Sequence, residues 1–216
     1  MKDNKTTLIL ISFFIALGIG FVWYSLNLIN EKKVVTLPVL GNPGHRVGSF
    51  SFINQDGKTI TEKDVQGKIY VVEYFFATCR GICPKMNENM AKVYQAFRGS
   101  KEVMILSHTV DPKKDTVQAL KAYSLKFDAD PRQWMFLTGD KKALYDMARY
   151  SYLVTATDDT AVVDIQSDFI HTQHWVLVDG DGYLRGMYDG TNMGEVNKLI
   201  GDIKILLQEK HKTTKD

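Results

Sequence analysis

Two cysteines four residues apart, Cys79 and Cys83, are the only thiols in the chain, and they sit in the stretch Glu73-Tyr74-Phe75-Phe76-Ala77-Thr78-Cys79-Arg80-Gly81-Ile82-Cys83-Pro84-Lys85-Met86. As thiolates, sulfurs are nucleophiles and soft metal ligands. Such a pair closes a disulfide or clamps a soft cation such as Cu(I), and two sulfurs alone do not choose between these chemistries. Pro84 supplies the local geometry. Proline is favoured in the first turn of a helix and drives the residue before it out of the α region, so Cys83 is expected at the N-cap of a helix reaching about Phe97. There its thiol would face unpaired backbone N–H groups and the positive end of the helix dipole, both of which favour the thiolate. Cys79 falls in the loop before the helix. Gly81 is expected to let that loop fold back so that the sulfurs meet, and Arg80 adds a positive charge beside them.

The element that delivers the loop is Ile69 to Phe76, a nearly unbroken apolar, β-branched and aromatic run that reads as a strand buried on both faces. A second strand of this type spans Val103 to Val110 and ends in Asp111-Pro112. A third covers Trp134 to Leu137. Between and after them, Thr116 to Phe127 and Lys141 to Tyr150 have helical character. On the amino side, Phe50 to Ile53 and Thr59-Ile60 flank Gln55-Asp56-Gly57-Lys58, a hairpin signal, and Thr61 with Asp64 resembles a capping box. On the carboxyl side, His174 to Val178 and Tyr183 to Tyr188 enclose Asp179-Gly180-Asp181-Gly182. This reads as a hairpin turn, because the ligand positions of a calcium loop are incomplete. Asn192 and Glu195 mark the start of a last helix to about Gln208. Ser151 to Ile170, with Asp158, Asp159, Asp164 and Asp168, reads as a solvated loop or short hairpin.

Strands alternating with helices imply parallel pairing through right-handed crossovers, with the late hairpin adding antiparallel strands at one side. The fold class is therefore α/β, a thioredoxin-like central mixed β-sheet flanked by helices. In such sheets the reactive position lies beyond the carboxyl ends of the strands, where both cysteines fall. At the amino terminus, Thr6 to Leu28 carries no charge and is long enough to span a bilayer of roughly 20 residues. Its far end, Phe21-Val22-Trp23-Tyr24-Ser25-Leu26, suits a membrane interface better than a cleavage site. The expected organisation is a single transmembrane anchor over residues 1–29, a linker over 30–48, one domain over 49–208 and a charged tail over 209–216. Lys2 and Lys5 on one side of the anchor balance Lys32 and Lys33 on the other, so charge alone does not orient it. The formal net charge of +2 is spread without a basic block, which argues against nucleic acid as a partner.

Four motifs in order resemble the SCO/SenC family of copper proteins, which assist assembly of the dinuclear copper centre of cytochrome c oxidase. They are Phe76-x-x-Cys79-x-x-x-Cys83-Pro84, Val110-Asp111-Pro112-x-x-Asp115-Thr116, Trp134-x-Phe136-Leu137-Thr138-Gly139, and His171-Thr172 shortly before Val176-Leu177-Val178-Asp179-x-Asp181-Gly182. The resemblance spans about Phe50 to Leu207. It implies that Cys79, Cys83 and His171 bind copper, as Cu(I) and also as Cu(II), with Asp111 in support. It further implies a metallochaperone in the cytoplasmic (inner) membrane whose domain faces the periplasmic or extracytoplasmic side. Its partners would be a copper donor protein and the copper-binding subunit of the oxidase, and its chemistry ligand exchange without turnover of a small substrate. Arg80 and Gly81 stand where the family pattern has a proline or an acidic residue. The competing reading is a thiol-disulfide oxidoreductase or redox sensor with Cys79 and Cys83 as the redox-active pair. Against it, Phe169 to His174 lacks the proline that such enzymes place before the strand facing their cysteines. His108, near a strand end, is a candidate to support the site. His174, three residues after His171, is read as structural, packing near Trp175.

Overall fold

The computed structural model describes residues 4–30, 36–154 and 172–213. His171 and the acidic residues Asp158, Asp159, Asp164 and Asp168 lie outside them. The chain forms two units, Met1–Val35 and Thr36–Asp216. Among its described residues the first forms one helix, α1 (Asn4–Asn30), within which Thr7–Ser25 is long and apolar enough to cross a membrane.

Among the described residues the second unit is built on a seven-stranded sheet, in the spatial order β2 (Thr59–Thr61), β1 (Ser51–Asn54), β5 (Trp134–Thr138), β4 (Val103–Thr109), β3 (Ile69–Phe75), β6 (His174–Val178) and β7 (Leu184–Asp189). Its centre is β3 (Ile69–Phe75), β4 (Val103–Thr109) and β5 (Trp134–Thr138), parallel to one another and buried at every residue. That is why they read as continuous apolar runs instead of alternating ones. Antiparallel hairpins close both edges. β1 (Ser51–Asn54) and β2 (Thr59–Thr61) join beside β5, and β6 (His174–Val178) and β7 (Leu184–Asp189) beside β3. The turns are those the sequence called for. Gly57 has φ +74° and Gly182 +84°, and Asp179 Oδ1 accepts the N–H groups of Asp181 and Tyr183, which makes that segment a hairpin turn. Between β2 and β3, a short α2 (Glu62–Val65) is capped by Asp64, whose Oδ2 accepts the N–H and hydroxyl of Thr61.

Side chains alternate across the sheet, so each central strand feeds two cores. One face packs Tyr70, Val72, Tyr74 and Leu106 against Leu144 and Tyr145 of α5 (Lys141–Asp146) and the π-helical turn Met147–Ser151 that continues it. The other packs Val71, Phe75, Trp134, Phe136 and Trp175 against α3 (Cys83–Phe97), α4 (Val117–Ser124) and α6 (Met193–Thr213). Helix α6 begins after Asn192, whose side-chain oxygen accepts the N–H of Gly194. It continues past Gln208, because Glu209 is bound to Arg185 and Lys210 to Glu102.

Residues within the stretch read as linker are tied to this unit. Leu40 N–H donates to Leu184 O, Val47 N–H to Gly182 O, and Arg185 reaches the carbonyls of Leu37 and Pro38. A single isolated pairing of this kind leaves no period-2 pattern to read. After β7 the backbone of Gly190 passes so close to Trp175 that an added Cβ would stand 2.3 Å from the indole. Its N–H and C=O are both engaged, with Gln173 O and Asn89 Nδ2. Gly190→Ala is therefore expected to destabilise the domain by about 2 kcal/mol, lowering the thermal midpoint by roughly 5 °C. A calorimetric midpoint equal to that of the parent would show that Trp175 yields without cost.

Candidate metal centre

Beyond the carboxyl end of β3 the chain turns through Phe76 to Ile82 and enters α3. Cys79 N–H donates to Phe76 O at 3.2 Å, and Met86 N–H to Ile82 O at 3.0 Å. The helix starts one residue earlier than Pro84 suggests. Ile82 is its cap and Cys83 its first residue, and this shift changes which sulfur is activated. The Cys83 side chain points into the core and is only 5% exposed. Cys79 lies in the loop just before the helix, half-buried, where the Cys83 thiol and the backbone N–H groups of Cys83, Gly81 and Ile82 are donors that favour its charged form. Partial burial works to raise the Cys79 thiol, but these donors outweigh it and bring its pKa below the ordinary value. Burial, followed by the hydrogen bond to Cys79 and the charges of Cys79 and Glu73, pushes Cys83 up to about 12. The helix start thus favours the thiolate of Cys79, the reverse of the assignment drawn from the proline.

A further expectation is corrected. Gly81 does not adopt a positive φ, so the loop folds back without the conformational freedom of glycine. Arg80 is exposed. Neither cysteine is in a disulfide in this structure.

Asp111 lies beside this loop but turns to Lys114, 3.0 Å from its carboxylate. The residue that reaches the cysteine loop is Asp115, only 1% exposed, whose Oδ2 accepts the Ala77 N–H at 3.1 Å and the Thr109 hydroxyl at 2.5 Å. Burial raises its pKa. Its only sequence signal was its place at the end of the second motif. Removing it would leave the part-buried Ala77 N–H and the hydroxyl proton of Thr109 without an acceptor. Asp115→Ala is expected to cost about 2–4 kcal/mol, with Asp115→Asn losing less, because the amide oxygen keeps an acceptor for Ala77. Chemical denaturation of the three proteins checks the order, and equal losses in Ala and Asn would refute it.

His108 does not join the site. It is opposite Tyr74 in the β3–β4 register, so its ring falls on the other face of the sheet, stacked on Tyr74 with ring centroids 5.1 Å apart and edge-on to Phe52. His174 is exposed at the start of β6, its N–H donating to Thr172 Oγ1. Because β6 runs antiparallel to β3, Thr172 and Gln173 enter the sheet at the end where β3 leaves it. Two cavities, of about 610 and 290 Å³, open at the opposite end of the sheet, around Lys68, Gly99 and Gln133 and around Gly67, Asp179 and Lys210.

One further residue on the cysteine side was passed over in the sequence. Glu73 is the single charged residue in the run Ile69 to Phe76. It is fully buried on the face that carries Phe75 and Cys83, and its Oε1 accepts the Ser107 hydroxyl at 2.5 Å. Its interruption of an apolar strand was the signal available.

The family model described as SCO1/SenC matches residues 40–208. The SCO1 protein homolog of Bacillus subtilis (strain 168) is 26% identical over 162 residues, covering 74% of this chain and 82% of that protein. Among solved structures, BsSco, described as having a disulfide switch and as a member of the Sco family of cytochrome c oxidase assembly proteins, is 26% identical with a TM-score of 0.64. The match covers 78% of this chain and 95% of that one. Arabidopsis thaliana ScoI, solved with copper bound, is 28% identical with a TM-score of 0.57 over 74% of this chain and 98% of its own. With the thioredoxin-like sheet and the cysteine loop at its carboxyl end, these matches establish that the chain belongs to the SCO1/SenC family.

Proposed function

We propose that this protein is a membrane-anchored copper metallochaperone. Cys79 and Cys83 take Cu(I), His171 is the third ligand, and the copper passes to the copper-binding subunit of cytochrome c oxidase. The observation that carries the reading is the unequal thiol pair at the start of α3, a partly exposed Cys79 and a buried Cys83. Two soft sulfurs fit Cu(I), and an imidazole also admits Cu(II). The entry of Thr172 and Gln173 at the cysteine end of the sheet supports His171 as the residue that completes the set. The apolar segment Thr7–Ser25 supports a single-pass anchor in the cytoplasmic membrane, with the domain on its extracytoplasmic side receiving copper from a donor protein. Transfer is ligand exchange. An incoming partner thiol displaces one ligand at a time, and Cys79, the more exposed sulfur, is the point of entry.

The thiol asymmetry also supports a second reading, a thiol-disulfide oxidoreductase in which Cys79 attacks and Cys83 resolves. An anaerobic Cu(I) titration of the full chain in detergent against a chromophoric chelator separates the two. One-to-one binding is expected, weakened at least about tenfold in His171→Ala, since even residues that merely orient a ligand cost about that much. Affinity indifferent to His171 would favour the oxidoreductase.

A further inference from the structure

At the end of the sheet away from the cysteines, the larger cavity, of about 610 Å³, is lined by cations that the fold gathers from separate segments. Strands β3, β4 and β5 run parallel, so the residues that lead into them, Lys68, Lys101 and Arg132, all fall at this one end. Strand β1 is antiparallel to β5, and Gln55 extends that pairing by donating from Nε2 to Trp134 O at 2.9 Å. The β1–β2 turn, with Lys58, is thereby carried to the same cavity. Its floor is apolar, made by the buried side chains of Ile60, Met104 and Met135. The carboxylates in the lining do not cancel these charges. Asp56 is paired with Lys121 at 2.5 Å and Asp130 with Arg132 at 2.7 Å. Lys68 Nζ spends one of its three N–H donors on the carbonyl of Lys101, at 2.7 Å, which holds its ammonium beside the start of β4. Among the described residues, the ammonium groups of Lys58 and Lys101 have no hydrogen bond or ion pair. Three ammonium groups thus line the cavity, and the one carboxylate left without a cation is Asp64, whose Oδ2 is engaged with Thr61 in capping α2.

We propose that this cavity binds a small soluble organic dianion, with a phosphate or a pair of carboxylates carried on an apolar body. Its volume lies within the roughly 300–1,000 Å³ of ligand sites, which combine an apolar lining with a few convergent polar groups. The apolar body covers Ile60, Met104 and Met135. The dianion lies among Lys58, Lys68 and Lys101, whose flexible stems each carry a compact positive charge, and charge-assisted N–H···O bonds of this kind are about twice as strong as neutral ones. An inorganic ion would satisfy the lysines and leave the methionines uncovered, and a neutral apolar molecule would do the reverse. The site does not depend on the copper reading. It lies beyond the amino ends of the parallel strands, where the rule that places ligands at their carboxyl ends would not look.

The test is methyl NMR of the copper-free full chain in detergent, labelled at its methionine methyl groups. The Met104 and Met135 signals are assigned by their loss in Met104→Leu and Met135→Leu, swaps that conserve core volume. Met86 and Met90, packed on the opposite face of the sheet, are internal controls. Phenyl phosphate is expected to shift the Met104 and Met135 signals saturably, with a Kd of about 1–5 mM, a range ordinary for so small a ligand, and to leave Met86 and Met90 in place. Inorganic phosphate should bind at least about tenfold more weakly, since it has no apolar surface to bury. Lys68→Gln combined with Lys101→Gln should weaken phenyl phosphate at least about tenfold, the factor that follows from losing a hydrogen bond to a charged group. Lys85→Gln, exposed on α3 at the cysteine end, should not. Unmoved Met104 and Met135 signals, equal shifts in all four methionines, equal affinity for the two phosphates, or indifference to the paired lysines each overturns the proposal. Should the double variant fail to fold, Lys58→Gln, in an exposed turn, replaces it, and an affinity unchanged there counts equally against the site.

Discussion

Cys83→Ser is expected to abolish useful Cu(I) binding while leaving the domain folded. The loss should be well beyond the 10- to 100-fold that follows from disturbing the support of a ligand, because a serine hydroxyl neither ionises near neutral pH nor offers a soft donor. The fold should survive because serine is close to cysteine in size. Its hydroxyl also offers Cys79 a donor in place of the Cys83 thiol. The same variant discriminates the oxidoreductase reading. With the Cys83 thiol gone, the backbone N–H groups of Gly81, Ile82 and residue 83 still favour the Cys79 thiolate, so a protein working by disulfide exchange should accumulate mixed disulfides with its partner through Cys79. Chelator competition and non-reducing electrophoresis on one preparation give both readouts. Copper affinity within about tenfold of the parent would remove Cys83 from the ligand set, since even indirect perturbation of a ligand costs about that much.

The parts of this fold legible in the sequence are those whose signal is local. Strands β3, β4 and β5 announce themselves as apolar runs because both faces are covered, and the hairpin turns because Asp-Gly pairs supply the required φ. The place of the cysteine pair follows from a strand before it and a proline after it. What was not legible depends on displacements of one residue or on strand register. Moving the cap from Cys83 to Ile82 sends one sulfur into the core and hands the helix N–H groups to the other. Whether His108 or Ser107 faces the cysteines depends on parity along β4. That parity is fixed by the pairing Tyr74↔His108 and Glu73↔Ser107, which no pattern in a continuously buried strand reveals. Asp111 and Asp115 sit in one motif, and only the turn that binds both of their backbones decides which carboxylate meets Ala77.

The same register produces the second large effect, in acid. His108 is enclosed by Tyr74, Phe52 and Tyr152, and neither ring nitrogen makes a hydrogen bond among the described residues. Burial drives its pKa down to about 3, against the weak opposing pull of the Leu106 and Glu73 backbone groups. The folded protein therefore holds His108 neutral where the unfolded chain, titrating near 6.5, would protonate it. Stability from this residue is intact above about pH 6.5 and is lost progressively as the pH falls toward 3, by an amount on the order of 4 kcal/mol. Glu73 acts in the opposite sense. Its raised pKa favours the folded state below about 4.5, and that contribution fades as the pH rises through 7, so the total pH profile mixes the two. The difference between parent and His108→Phe at each pH isolates the histidine. Phenylalanine keeps the stacking on Tyr74 and removes two unpartnered nitrogens, so the variant should match or exceed the parent at pH 7, and its advantage should widen steadily toward pH 4. Thermal unfolding across that range decides it: a stability gap independent of pH would mean that His108 is protonated in the folded state, contrary to its enclosure by aromatic rings.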